Sequence, residues 1–170
     1  EADAMIVGDP LDPQTDIGPL ITENEVKRVS EWVEEAKNEG ASVIAGGTVL
    51  SQNNLLQSYR PTGLYNPSEY SRVSREEIFG PVVCVYPFSE ISEAINQANS
   101  LRYAFQAAVF SKDIDEAMKA VREINASTIM INDHTAFRVD WMPFGGRNES
   151  GIGTGGIPYA MREMTQEKLI

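Results

Sequence analysis

The sequence predicts an α/β fold, a mainly parallel sheet flanked by helices. Two observations lead there. Short β-branched apolar runs alternate along the chain with segments whose apolar residues recur at helical spacing, and that alternation is the pattern of helices covering a parallel sheet. The chain also has the composition of one soluble domain: 170 residues, 42% hydrophobic and 23% charged, without repeats or low-complexity tracts.

The elements follow in order. Residues 8–21 are rich in Gly, Pro and Asp and read as an ordered loop. Thr22 with Glu25 three positions on forms a capping box, which predicts a helix start. Val26, Val29, Val33 and Ala36 continue it on one face, and Gly40 suits the position after its end. Ser42–Ala45 reads as a short strand before a Gly46-Gly47 turn. Residues 48–75 carry one strand near Arg60–Leu64. Pro81–Phe88 is apolar and β-branched, so it is expected to be a buried strand. A helix from about Ser89 to Ser100 presents Ile91, Ile95 and Ala98. Phe105–Phe110 is the next strand. Asp113 and Glu116 then cap a helix bearing Ile114, Ala117, Met118, Val121 and Ile124. Thr128–Ile131 is a strand, a long loop runs from Asn132 to about Ile157, and a short helix and a final strand close the chain.

Charge narrows the partners. Lys and Arg total 14 against 25 Asp and Glu, a net charge of -11. Such a balance argues against nucleic acid and against an anionic membrane surface, leaving a small molecule or another protein. No apolar run approaches the roughly 18 residues of a membrane span. Glu1–Met5 shows neither the basic nor the apolar region of a signal peptide. The single cysteine, Cys84, fits a reducing, cytoplasmic setting and leaves no disulfide or Cys-based zinc site. One histidine, His134, offers little for a metal, so none is expected.

Several motifs carry chemistry. Gly151–Gly156 matches the letters G-x-G-x-x-G, but no predicted strand leads directly into it, so a dinucleotide fingerprint is rejected. Cys84 sits among valines, where a thiol loses the solvation and positive neighbours that lower its pKa. It is expected to be inert, and a Cys84–His134 dyad is disfavoured. In Arg75-Glu76-Glu77-Ile78-Phe79-Gly80-Pro81, Glu77 reads two ways. It is either part of a solvated acidic turn or an acceptor for ligand hydroxyls such as a ribose diol, with Phe79 as an apolar wall. Pro143-Phe144-Gly145-Gly146 is either a tight turn or the wall of a pocket.

Taken together these residues resemble the aldehyde dehydrogenase superfamily. The motifs run in order: Val7-Gly8-Asp9-Pro10, Ile17-Gly18-Pro19-Leu20, Glu76-Glu77-Ile78-Phe79-Gly80-Pro81-Val82, Ala108-Val109-Phe110-Ser111-Lys112-Asp113, Ile131-Asn132, Pro143-Phe144-Gly145-Gly146, and Ser150-Gly151-x-Gly153. They span almost the whole chain. The resemblance implies that residues 1–170 are the C-terminal part of a catalytic domain whose parent oxidises an aldehyde with NAD or NADP through a cysteine thioester. The nucleophilic cysteine, the oxyanion asparagine and the general-base glutamate are expected upstream, so the chain alone is expected to be inactive. The resemblance further implies that Glu77 binds the nicotinamide ribose hydroxyls and that Phe79 packs beside the nicotinamide. It makes Phe144 a residue of the substrate tunnel, Asp133–Trp141 the loop shaping the substrate, and the full-length protein a homo-oligomer.

Counting back from Phe144, Arg138 falls where several members of that family place an apolar or aromatic tunnel residue. Its guanidinium either grips an anionic substrate tail or pairs with Asp140, two residues along. Departures from the family pattern stand at Ala104, Asn148-Glu149 and Thr154-Gly155. The alternatives to an enzyme part are a catalytically silent scaffold serving oligomerisation and an independent dinucleotide-binding module.

Overall fold

The computed structural model describes residues 1–50 and 57–170. The part of the 48–75 expectation that falls on residues 51–56 lies outside them. The chain is α/β and divides into two compact units, Glu1–Pro87 and Phe88–Ile170.

The first unit is organised by helix α1, Glu23–Asn38. Thr22 Oγ1 accepts a hydrogen bond from the Glu25 N–H at 3.3 Å, one half of the predicted capping box. The Glu25 carboxylate turns instead to Arg28 Nε, 2.8 Å away. At the other end, Ala41 N–H donates to the Ala36 carbonyl and Gly40 N–H to the Lys37 carbonyl, with Gly40 at φ 107°. This is a Schellman motif, and its left-handed position is why the helix stops at a glycine. The four predicted apolar positions of α1 are all buried. They pack on Tyr59, Leu64 and Val73 to form the core.

Under α1 lies a three-stranded sheet of β1 (Ser42–Ala45), β4 (Thr62–Tyr65) and β5 (Val82–Val85), in the order β1-β4-β5. β4 and β5 run parallel and β1 runs antiparallel to β4, so this sheet is mixed. A short ladder of β2 (Val49–Leu50) with β3 (Ser58–Tyr59) follows the glycine turn. β5 differs from the expected buried strand. It alternates, with Val82 and Cys84 against the core while Val83 is 59% exposed. Only one face of the sheet is covered by α1, which is the physical reason. A single helical turn, α2 (Arg72–Arg75), precedes β5.

The second unit holds α3 (Ile91–Asn99), β6 (Tyr103–Ala104), β7 (Gln106–Val109), α4 (Ile114–Glu123) and β8 (Thr128–Ile131). β7 and β8 pair in parallel across the α4 crossover. Asp113 Oδ1 caps α4 by accepting from the N–H groups of Asp115 and Glu116. Glu116 does not reciprocate; its carboxylate accepts from Ser111 Oγ. The predicted apolar face of α4 is buried at Ala117, whereas Ile114 is 66% exposed. The loop after β8 contains β9 (Arg147–Asn148), paired antiparallel with β6, and leads to α5 (Ile157–Glu163). The expected final strand does not form: residues 165–170 find no pairing partner among the described residues.

Among the described residues, no helix is long and apolar enough to cross a membrane.

Candidate functional site

The six residues between α2 and β5, 76–81, are tied to the rest of the unit at several points. Ile78 packs against the hydrophobic cluster, and its carbonyl accepts a hydrogen bond from Arg28 Nη2 at 2.6 Å. Gly80 lies so close to α1 that a Cβ there would meet Val29 Cγ2 at 2.8 Å. The Pro81 carbonyl accepts from Thr62 N–H at 2.8 Å, joining the segment to the parallel ladder.

The residues between these anchors face outward. Glu77 is exposed, and its carboxylate has no hydrogen-bond or ion-pair partner among the described residues. Phe79 is 74% exposed and holds φ at 46°. A bulky side chain in the left-handed region costs on the order of 1–3 kcal/mol and persists only where the surroundings enforce it. Here the anchors on either side enforce it. The result is a free pair of carboxylate oxygens two residues from an outward-held aromatic ring. Such a pair can accept from a diol while the ring flanks a planar group.

Cys84 is placed as the sequence expects. Its Sγ lies 3.6 Å from the Val73 carbonyl oxygen, with the thiol as donor. Burial pushes the thiol above its ordinary pKa, against a smaller lowering by a hydrogen bond with Tyr86. A thiol that is both occluded and protonated is a poor nucleophile. Cys84 should therefore react with an aromatic disulfide reagent at pH 8 at least about tenfold more slowly than free cysteine. Reaction at the free-thiol rate in the folded chain would return Cys84 to the candidate nucleophiles. The neighbours of His134 are local: its Nδ1 accepts from Ala136 N–H at 3.2 Å, and Nε2 lies 3.9 Å from Asp133 Oδ1.

In the second unit, Phe144 is the hub. Its backbone bridges Gly155 through two hydrogen bonds, at 3.1 and 2.5 Å. The ring meets Phe105 edge-on, with centroids 5.0 Å apart at 85°. The Arg138 guanidinium carbon stands 3.9 Å from the same ring's centroid. Arg138 makes no ion pair with Asp140 among the described residues; it stacks on Phe144 instead.

The glycines after Phe144 serve close backbone approach. A Cβ on Gly145 would meet the Gly153 carbonyl oxygen at 2.6 Å, and one on Gly146 would collide with the Ser150 carbonyl oxygen. Gly151–Gly156 is therefore a folded-back segment packed on 144–146, with α5 of seven residues after it.

Two further features were not legible as site structure. The Asn132 side chain clasps the strand ends, accepting from Ser111 N–H and donating to the Ser111 carbonyl, each at 3.0 Å. The departures at Ala104 and Asn148-Glu149 share one ladder: Ala104 pairs with Arg147 and Tyr103 with Asn148. Beside it Glu149 forms an ion pair with Arg102 at 3.4 Å. Among the described residues, no group of three or more His, Cys, Asp or Glu is placed to hold a metal ion.

The family model described as the aldehyde dehydrogenase family matches residues 1–170. A 3-sulfolactaldehyde dehydrogenase from Priestia aryabhattai is 44% identical over all 170 residues of the chain, which span 35% of that relative's length. Among solved structures, aldehyde dehydrogenase 21 from Physcomitrella patens, in complex with its reaction product succinate, superposes with a TM-score of 0.90 at 33% identity. That match covers 97% of this chain and 33% of the other. Glyceraldehyde-3-phosphate dehydrogenase GapN from Methanocaldococcus jannaschii, complexed with NADP, gives a TM-score of 0.89 at 36% identity, over 97% of this chain and 35% of the other.

Proposed function

The chain belongs to the aldehyde dehydrogenase family, and from that premise we propose that the full-length protein oxidises an aldehyde with an anionic tail to its carboxylic acid through a cysteine thioester. A bound NAD or NADP would accept the hydride. Glu77 accepts hydrogen bonds from the nicotinamide ribose hydroxyls and Phe79 flanks the nicotinamide ring. Phe144 lines the passage for the substrate, and Arg138 binds its anionic tail.

The observation that carries this reading is the alternation at 77–79. Ile78 packs, partly buried, against the core, whereas the neighbouring carboxylate has no partner among the described residues and the neighbouring ring is held out in a left-handed conformation. A merely solvated acidic turn has no need of a strained, exposed phenylalanine beside it. For the substrate, the support is a guanidinium at the loop preceding Phe144 that has no carboxylate partner among the described residues. The relatives named above act on or bind sulfolactaldehyde, succinate and a phosphorylated glyceraldehyde, all anions. The nucleophilic cysteine and the glutamate that activates water belong to the same reading, in the part of the parent that this chain does not include. The proposal extends to a homo-oligomer in the cytoplasm.

Glu77→Gln in the full-length protein tests the cofactor contact. An amide is a weaker acceptor than a carboxylate, so losing one charge-assisted hydrogen bond should cost about 1.5–3 kcal/mol in cofactor binding or hydride transfer. Unchanged affinity and unchanged hydride-transfer rate would return Glu77 to the solvated turn.

A further inference from the structure

The segment that carries Glu77 and Phe79 is hydrogen-bonded at Ile78 by a residue of another element, fifty positions earlier in the chain. Arg28 stands on α1, partly buried. Its guanidinium is held by two residues of its own helix. Nε donates to Glu25 Oε2 at 2.8 Å, Nη2 lies 2.6 Å from the same oxygen, and the guanidinium carbon sits 4.7 Å from the centroid of the Trp32 ring. Nη2 also donates to the Ile78 carbonyl at 2.6 Å. Trp32 is in turn flanked by the Arg72 guanidinium at 5.3 Å, and Arg72 is bonded to Glu35. The donor that holds Ile78 is thus preorganised rather than swinging on a free stem.

The Ile78 carbonyl belongs to the peptide group that leads directly into Phe79. Fixing its direction sets one side of the left-handed turn at Phe79, and the seat of Gly80 on Val29 sets the other. An extended segment without the Arg28 bond can relax Phe79 toward negative φ, which turns its ring and moves the neighbouring carboxylate. We propose that Arg28 is a positioning residue for cofactor binding: it holds the Ile78 carbonyl and thereby keeps Glu77 and Phe79 aimed outward. This rests on the reading that Glu77 and Phe79 contact the cofactor.

The test uses the full-length protein and measures NAD and NADP binding by calorimetry, together with the aldehyde KM at saturating cofactor and the melting temperature. Arg28→Met keeps an unbranched apolar stem on α1 and removes the donor. It should weaken cofactor binding about tenfold, leave the aldehyde KM within about twofold, and keep the melting temperature near the parent's. Arg28→Lys, which retains a positive donor near the same carbonyl, should recover part of the loss. Combined with Glu77→Gln, the two losses should fall short of additive, because Arg28 acts through the segment that carries Glu77. Fully additive losses, or equal losses in cofactor and aldehyde with a lower melting temperature, overturn the proposal in favour of a structural role. Intact affinity in Arg28→Met alongside a weakened Glu77→Gln overturns positioning only. Intact affinity in both Glu77→Gln and Phe79→Ala overturns the cofactor reading, and the proposal with it.

Discussion

On the proposed function, Arg138→Leu in the full-length protein is expected to raise the barrier for anionic aldehydes by about 2–4 kcal/mol in kcat/KM and to leave neutral aldehydes of the same size nearly unchanged. The expectation follows from what Arg138 touches. Its guanidinium rests on the Phe144 ring and has no carboxylate partner among the described residues. An exposed cation–π contact stabilises by only about 0.5–1 kcal/mol. A bidentate carboxylate, sulfonate or phosphate is a stronger partner, so the guanidinium can meet an anion while staying beside the ring. Leucine keeps an apolar contact with Phe144 and removes the fork. The selective loss is therefore the informative readout. Equal losses for charged and neutral substrates, with a lower melting temperature, would assign Arg138 to holding its loop through Phe144.

Leu64→Ala is expected to destabilise the chain by about 2–5 kcal/mol. Leu64 is fully buried on the central strand of the three-stranded sheet, under α1 and within the main core cluster. Neighbours on β1 and β5 are hydrogen-bonded to its strand, so the backbone has little freedom to close the cavity. Val83→Ala on β5 should stay within about 0.5 kcal/mol, because Val83 is 59% exposed on the uncovered face. Urea unfolding of both variants measures the contrast. Comparable costs would mean that the sheet is packed on both faces under the conditions of the experiment.

That contrast between faces marks where the sequence is a good guide and where it is not. Helix α1 is legible residue by residue: the cap at Thr22, the buried stripe of Val26, Val29, Val33 and Ala36, and the Gly40 stop all sit where spacing puts them. These are local signals, carried by backbone groups and side chains within a few positions of one another. β5 shows the limit. An apolar run is consistent with burial on both sides, but how many faces are covered depends on which elements arrive there. The antiparallel β1 beside a parallel β4–β5 pair is likewise a matter of pairing partners far apart in the chain.

The candidate site divides in the same way. Glu77, Phe79, Phe144 and Arg138 stand out by residue type and order, and the aldehyde dehydrogenase motifs are readable in full from the sequence. Residue type alone left Arg138 between an anion grip and a pair with Asp140. Only the fold showed it stacked on Phe144, because that contact needs the loop to double back by several residues. Nor did any pattern connect Arg28 with Ile78. A bond to a backbone carbonyl leaves no trace in side-chain identity at the accepting position, and the two residues meet only once α1 has packed beside the entrance to β5. The sequence by itself determined the α/β class, the caps and the identity of the chemical groups. Tertiary structure decided their partners, since hydrogen bonds and ring contacts between distant segments form only after burial has brought those segments together.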